Sequence, residues 1–250
     1  MATAGAHYQN LLARHYTWML GGDLEAAAAR ERQVLEDLGV RTGTVAVDLG
    51  CGPGPQTPAP ADMGFRTVIG VDTSQQLPDE LAEHAHSRPA IRAVHMDLVQ
   101  ALPAVVQREP ADLVVCMRGT VLHLPNHDAV VELVHRVTSA LTAGGTFVLT
   151  YRDLTQPRQG LERFIPVRSD AERVMLCALD YQEPDTVTVT VNDLVYTHGP
   201  EGWELHKSSY PKLRLSPDWL RDQLGAAGLA IVHHDPGAGG MWSTVACLPT

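Results

Sequence analysis

The chain has 250 residues, 44% of them hydrophobic and 5% aromatic, with a formal net charge of -10. That is enough apolar material for a globular core resting on Val, Leu, Ala and Ile, and it excludes a disordered chain. An acidic chain with scattered arginines repels phosphate backbones, so no nucleic-acid partner is expected. No apolar run approaches the ~20 residues that cross a bilayer, so no membrane partner is expected either. Cys51, Cys116, Cys177 and Cys247 are far apart and form no C-x-x-C pair, which argues against a zinc site, a disulfide framework or any other metal centre. Reduced thiols, and an N-terminus (Met1 to Leu20) without a basic segment followed by an apolar run, point to the cytoplasm.

In chain order, Tyr8, Leu11, Leu12, His15, Tyr16 and Met19 recur at helical spacing, and Gly21-Gly22 ends that helix. Asp23 caps a second helix, which carries Leu35 and Leu38 and stops at Gly39. Five apolar strands follow. They are Val45-Ala46-Val47, ending in Asp48; Thr67 to Val71, ending in Asp72; Ile91 to His95; Leu113 to Met117; and Thr146 to Tyr151. Continuous apolar strands separated by helical segments imply a parallel sheet covered on both faces. The helix before the fifth strand is the clearest, with Val130, Leu133, Val134, Val137 and Leu141 on one face and Gly144-Gly145 as its stop.

The pattern changes after Asp153. Residues 154–171 contain Pro157, Gly160 and Pro166 and read as a loop or lid. Val174 to Leu179, Thr186 to Tyr196 and Trp203 to Tyr210 read as antiparallel strands, turning at 183–185 and 198–202. Alternation in Val187-Thr188-Val189-Thr190-Val191 predicts one wet face. Ser216-Pro217-Asp218 starts a helix that ends near Gly228, and Ala230 to Val232 and Thr244 to Cys247 close the chain as strands. The whole reads as one domain, 1–250: a helical cover over 1–40, a binding core over 41–153, a lid and inserted β subdomain over 154–215, and a closing helix and strands over 216–250.

The chemistry concentrates at Asp48-Leu49-Gly50-Cys51-Gly52-Pro53-Gly54. The chain leaves a strand and turns sharply, and Gly50, Gly52 and Gly54 permit positive φ and close approach of a ligand. Such a turn alone is weak evidence. Two acids sharpen it. Asp72, about 20 residues on at the end of the second strand, can accept hydrogen bonds from ribose hydroxyls. Asp97, after the third strand, can receive an amino group. A dinucleotide site prefers a helix N-terminus for its pyrophosphate. Pro53, Pro55, Pro58 and Pro60 crowd that segment, so the helix there is expected to be short, distorted or late.

With Val71-Asp72-Thr73-Ser74, His95-Met96-Asp97-Leu98 and Leu141 to Phe147, this turn resembles the motif set of the class I methyltransferases that use S-adenosylmethionine (SAM). The resemblance covers roughly residues 40–152. It implies a Rossmann-like α/β fold of seven strands ordered 3-2-1-4-5-7-6 with the last strand antiparallel. It implies SAM as cofactor, S-adenosylhomocysteine as product, and a methyl transfer to N or O of a small metabolite or natural product. It places Gly50, Cys51 and Gly52 at the methionine part, Asp72 and Thr73 at the ribose, and Asp97 and Leu98 at the adenine, with Asp48 also among the cofactor-binding residues. Met117 and Arg118 would line the cofactor.

Methyl transfer is an in-line displacement in which the enzyme mainly positions the acceptor, and a base helps only when the acceptor must lose a proton. His123, in the loop after the fourth strand, is the candidate base; it can equally pack under Leu122 and Leu124. Tyr151 can bind substrate, as can Asp153, which can also cap backbone. Arg163 and Arg168 can clamp a carboxylate or simply be solvated. Tyr8 and Tyr16 can cover cofactor and substrate or pack on the domain, and Trp18 is expected to pack. Trp203, Tyr210 and Lys212 can add a pocket wall. A small-molecule acceptor and a monomer or homodimer are expected. Two other functions stay open: a SAM-assisted cyclase or lyase, and a non-catalytic SAM-binding module.

Overall fold

A computed structural model describes residues 7, 11–74, 80–81, 85, 87–182, 187–237 and 240–250. Helix α1 (Ala13–Met19) ends where Gly21 and Gly22 take positive φ. Helix α2 (Leu24–Asp37) starts at Asp23, whose carboxylate accepts from the Ala26 N–H. Strands β1 (Val45–Leu49), β2 (Thr67–Asp72), β3 (Ile91–His95) and β4 (Ala111–Cys116) follow, with the short helix α3 (Pro58–Asp62) between β1 and β2 and α4 (Leu98–Val105) between β3 and β4. Helix α5 (His127–Ala140) leads directly into β5 (Leu141–Arg152). It ends before Gly144-Gly145, because Leu141 is already extended and the glycines belong to the strand's first half.

These strands and the last two, β10 (Ala230–Pro236) and β11 (Met241–Cys247), form one sheet of order β10-β11-β5-β4-β1-β2-β3. Neighbours from β3 to β5 are parallel, and β11 runs antiparallel to β5. This is the order and the reversal expected from the sequence. Helix α6 (Pro217–Ala226) starts at Ser216, whose hydroxyl accepts from the Trp219 N–H. Asp112 pins the start of the central strands. Its Oδ2 accepts from the Thr44 and Val45 N–H groups at 2.5 and 3.1 Å, and its Oδ1 accepts from Thr142 Oγ1 at 3.3 Å.

A second, antiparallel sheet runs β6 (Phe164–Ser169), β7 (Arg173–Asp180), β8 (Thr188–Gly199) and β9 (Gly202–Leu213). Part of the segment read as a loop or lid is thus strand β6. Pro166 fits there because β6 is an edge strand and its register shifts between Pro166 and Arg168, so the missing N–H breaks no ladder bond. The turn at 198–202 tightens to Pro200-Glu201 between paired Gly199 and Gly202, whereas the one at 183–185 and Pro78 lie outside the described residues. β8 alternates as its sequence predicts, with Val189, Val191, Asp193 and Val195 inward. Val189, Val191, Tyr210 and Leu213 share a core with Leu149 and Tyr151 of the first sheet and with Leu122 in the turn after β4. Leu11, Leu12, Tyr16 and Trp18 pack on Met175 and Val195, so α1 rests on the second sheet. Asp112→Ala leaves two strand N–H groups without their acceptor; urea denaturation is expected to show a loss of about 1–3 kcal/mol.

Candidate active site

The glycine turn ties two strand ends together. The Gly50 and Cys51 N–H groups both donate to the Val71 carbonyl, at 2.8 and 3.0 Å. Gly50 has φ +81°, and a Cβ there would lie 2.3 Å from Thr120 Cγ2, so the loop after β4 leaves no room for a side chain. The Gly52 N–H donates to Asp72 Oδ2 at 3.0 Å, and the Ser74 N–H donates to Asp72 Oδ1 at 2.9 Å. Asp72 is thereby fixed across the turn, and burial raises its pKa. The segment behind the turn is the five-residue α3, with Pro58 at its first position, the short and late helix that the prolines predict.

Asp72, Thr73, Gly50, Gly52 and Leu98 line one cavity, with Tyr16 above Gly52, and Arg118 and His123 at the far side. A Cβ on Gly52 would stand 3.7 Å from the Tyr16 ring. Gln56, Ser74 and Thr120 line it as well; the sequence singled none of them out as lining residues, since they carry no motif of their own.

Four residues expected at the cofactor turn their side chains elsewhere. Asp48 is buried below the turn, where Thr57 Oγ1 donates to it at 2.7 Å. Cys51 is buried and packs in a cluster with Leu81 and Ala85. Met117 lies in the core with Val115 and Val148. Asp97 caps α4, its Oδ1 accepting from the Val99 and Gln100 N–H groups, which leaves Leu98 as the wall.

The substrate-side expectations divide in the same way. Tyr8 lies outside the described residues. Tyr151 is fully buried in the core on β5, and Arg163, on a turn before β6, lines none of the cavities described here. Arg168 reaches the Gly21 carbonyl and lies over the Trp18 ring, tying β6 to α1. Trp203 is exposed at the hairpin end. Asp153 caps local backbone, accepting from the Thr155 N–H and hydroxyl. Tyr210 is placed at the centre, its ring stacked 4.1 Å from His7 and 5.5 Å from His123. It hydrogen-bonds Asp193, which also accepts from Cys177 Sγ at 2.7 Å and lies 2.9 Å from His7 Nε2. Asp193 has its own signal in the sequence, as the single acid in the inward row of β8.

His123 is kept largely neutral. Burial, then the nearby Lys212 and His7, lower its pKa well below the ordinary 6.5. Arg118 is a non-glycine residue at φ 57°. Its N–H donates to Thr150 Oγ1 and its guanidinium pairs with Glu31. Strain of this kind persists where surrounding structure holds it. Arg118 also borders a second cavity of about 290 Å³ between the two sheets, shared with Arg152, Lys212 and an apolar wall. Among the described residues no group of His, Cys, Asp or Glu is placed to hold a metal ion, and no helix is long and apolar enough to cross a membrane.

The sheet order, the glycine turn and the acid at the end of β2 define an α/β fold with a cavity at the carboxyl ends of its strands, where ligands of open α/β sheets bind. Residues 46–145 match the family described as a methyltransferase domain. Among solved structures, a SAM-dependent methyltransferase from Clostridium acetobutylicum superposes with a TM-score of 0.72 at 14% identity, over 97% of this chain and 99% of that one. The CcbJ methyltransferase of Streptomyces caelestis gives 0.73 at 20% identity, over 88% and 89%. A sugar N-methyltransferase from a Streptoalloteichus species gives 0.72 at 17% identity, over 100% and 96%. At these identities the likeness is one of fold. Over 81 residues the chain is 35% identical to an uncharacterized 37.1 kDa protein in transposon TN4556 of Streptomyces fradiae, a match covering 32% of this chain and 23% of that protein. Residues 46–145 thus carry the sequence of a methyltransferase domain, the whole chain has the fold of SAM-dependent methyltransferases, and SAM is the cofactor of the enzymes with that fold.

The residues fit that cofactor. The cavity offers a fixed carboxylate, an apolar side at Leu98 and a glycine backbone left open beneath Tyr16. Burial pushes the Asp48 carboxyl up to about 7, against the Thr57 hydrogen bond and with the charges of Asp72 and Glu31 adding to the rise. The native state therefore keeps this proton after the unfolded chain has released it, so stability is lost as pH rises from about 4 through about 7. Asp48→Asn removes that loss. Urea denaturation at about pH 4.5 and about pH 8 is expected to show the wild type weakening relative to the variant; parallel behaviour would exclude a raised Asp48.

Proposed function

We propose that this enzyme transfers the methyl group of SAM to a nitrogen or oxygen atom of a small-molecule acceptor. The observation that carries this reading is the meeting of two cavities at Arg118, one with the Asp72 carboxylate and His123 on its wall, the other between the sheets. SAM, when bound, supplies an activated methyl group on its sulfonium sulfur. In this reading Asp72 accepts hydrogen bonds from the ribose hydroxyls. Thr73 stands beside it, Leu98 packs on the adenine, and Tyr16 covers the turn at Gly52.

His123 takes the role of base. Its lowered pKa keeps a lone pair available near neutral pH, and the stack on Tyr210 holds the ring. The acceptor atom gains the methyl group, and its proton passes to His123 or to water. The second cavity, about 290 Å³, lies at the lower end of the roughly 300–1,000 Å³ usual for small-molecule sites, which suits a metabolite better than a protein side. Structural neighbours with the same fold support an acceptor of small-molecule size, without fixing its chemistry: a sugar N-methyltransferase, and an amino pentose methyltransferase of calicheamicin biosynthesis.

Calorimetry with S-adenosylhomocysteine tests the first half. Asp72→Ala is expected to weaken binding about tenfold or more, from the loss of hydrogen bonds to a charged acceptor. Titration without heat for the wild type would sink the reading. His123→Ala is expected to keep cofactor affinity and lower turnover about a hundredfold or more. Unchanged turnover would remove His123 as base. A product mass one methylene unit above the acceptor separates transfer from cyclase or lyase chemistry.

A further inference from the structure

Apart from Arg118, which borders both cavities, the second cavity has polar chemistry that the cofactor site does not use. Its polar side chains come from Arg118 after β4, Arg152 at the end of β5, Cys177 on β7 and Lys212 on β9. Cys177 donates its thiol proton to Asp193. The other three are cations on three separate elements, and no acidic residue among those described lines the cavity. The counter-charges of Arg118 and Lys212 stand outside it. Glu31 pairs with Arg118, and Asp193, spent on Cys177, Tyr210 and His7, is the acid that acts on Lys212.

Lys212 is the most informative of the three. It is half-buried, yet among the described residues its ammonium forms no hydrogen bond or ion pair; it lies 5.6 Å from the Tyr210 ring centroid. Taking an ammonium partly out of water without an acceptor is costly, and a bound anion offsets that cost. The remaining wall is apolar, from Leu122, Leu154, Ile165, Leu179, Val191 and Met241. Such a wall calls for a carbon body, whereas a sugar-like ring presents hydroxyls that find few acceptors here.

We infer that the second cavity binds an amphipathic organic anion, an apolar body carrying a carboxylate or phosphate that Lys212 and Arg152 receive beside Arg118. This rests on the reading of the chain as a small-molecule methyltransferase and narrows its acceptor. Arg163 and Arg168, the arginines that sequence reasoning offered to a carboxylate, stand outside this cavity.

The test uses the full chain and four probes: phenylacetate, phenyl phosphate, and the neutral phenylacetamide and benzyl alcohol, each titrated calorimetrically with and without saturating S-adenosylhomocysteine. One of the anions is expected to bind at least about tenfold more tightly than either neutral probe, and whichever anion leads identifies the group received. Lys212→Met is expected to erase the preference while leaving S-adenosylhomocysteine affinity unchanged, and Arg152→Gln is expected to reduce it. Neutral probes binding as well as the anions, or a preference that survives Lys212→Met, would overturn the inference. Failure of S-adenosylhomocysteine itself to bind would instead strike the parent reading, since the anion preference is also measured without it.

Discussion

The carboxylate of Asp72, held between the Gly52 and Ser74 N–H groups, is the constraint on which the site is built. A buried carboxylate is tolerable only with donors supplied, and here both come from backbone at strand exits. That arrangement forces the chain after β1 back towards β2, where Gly50 and Cys51 take the Val71 carbonyl. The loop after β4 then closes on the same point, with Thr120 against Gly50. Two turns and one acid thus lock together before any ligand is considered.

The sheet and its order were legible in the sequence because burial on both faces demands continuous apolar strands, and β1 and β2 are such runs, ending at the glycine turn and at Asp72. Ser216 and Asp23 were legible as caps because an exposed hydroxyl or carboxylate before an apolar run has one common use. β6 was not legible. Its Pro166 and its mostly exposed side chains remove both the strand propensity and the burial pattern, and only pairing with β7 makes it a strand.

The site was legible in part. Gly50, Gly52, Asp72, Thr73, Leu98, Arg118, Tyr16 and His123 converge on one cavity, since strand ends and the turns after them share one edge of a parallel sheet. Asp48, Cys51, Asp97 and Met117 were placed there by position in the motif, but side-chain direction within a motif depends on alternation and capping. Asp48 and Cys51 turn inward and Asp97 satisfies a helix. The second cavity was barely legible, because Arg118, Arg152 and Lys212 are distant in sequence and meet only through the docking of the second sheet on the first.

Helix α1 and the two residues before it are anchored on the second sheet. Leu11, Leu12, Tyr16 and Trp18 are seated on Met175 and Val195. The roof of one cavity and the wall of the other are therefore parts of one packed body. Exchange of residues 164–213 between relatives would take away the seat of Tyr16 along with one wall of the second cavity. The roof over the glycine turn and the wall between the sheets are inherited together.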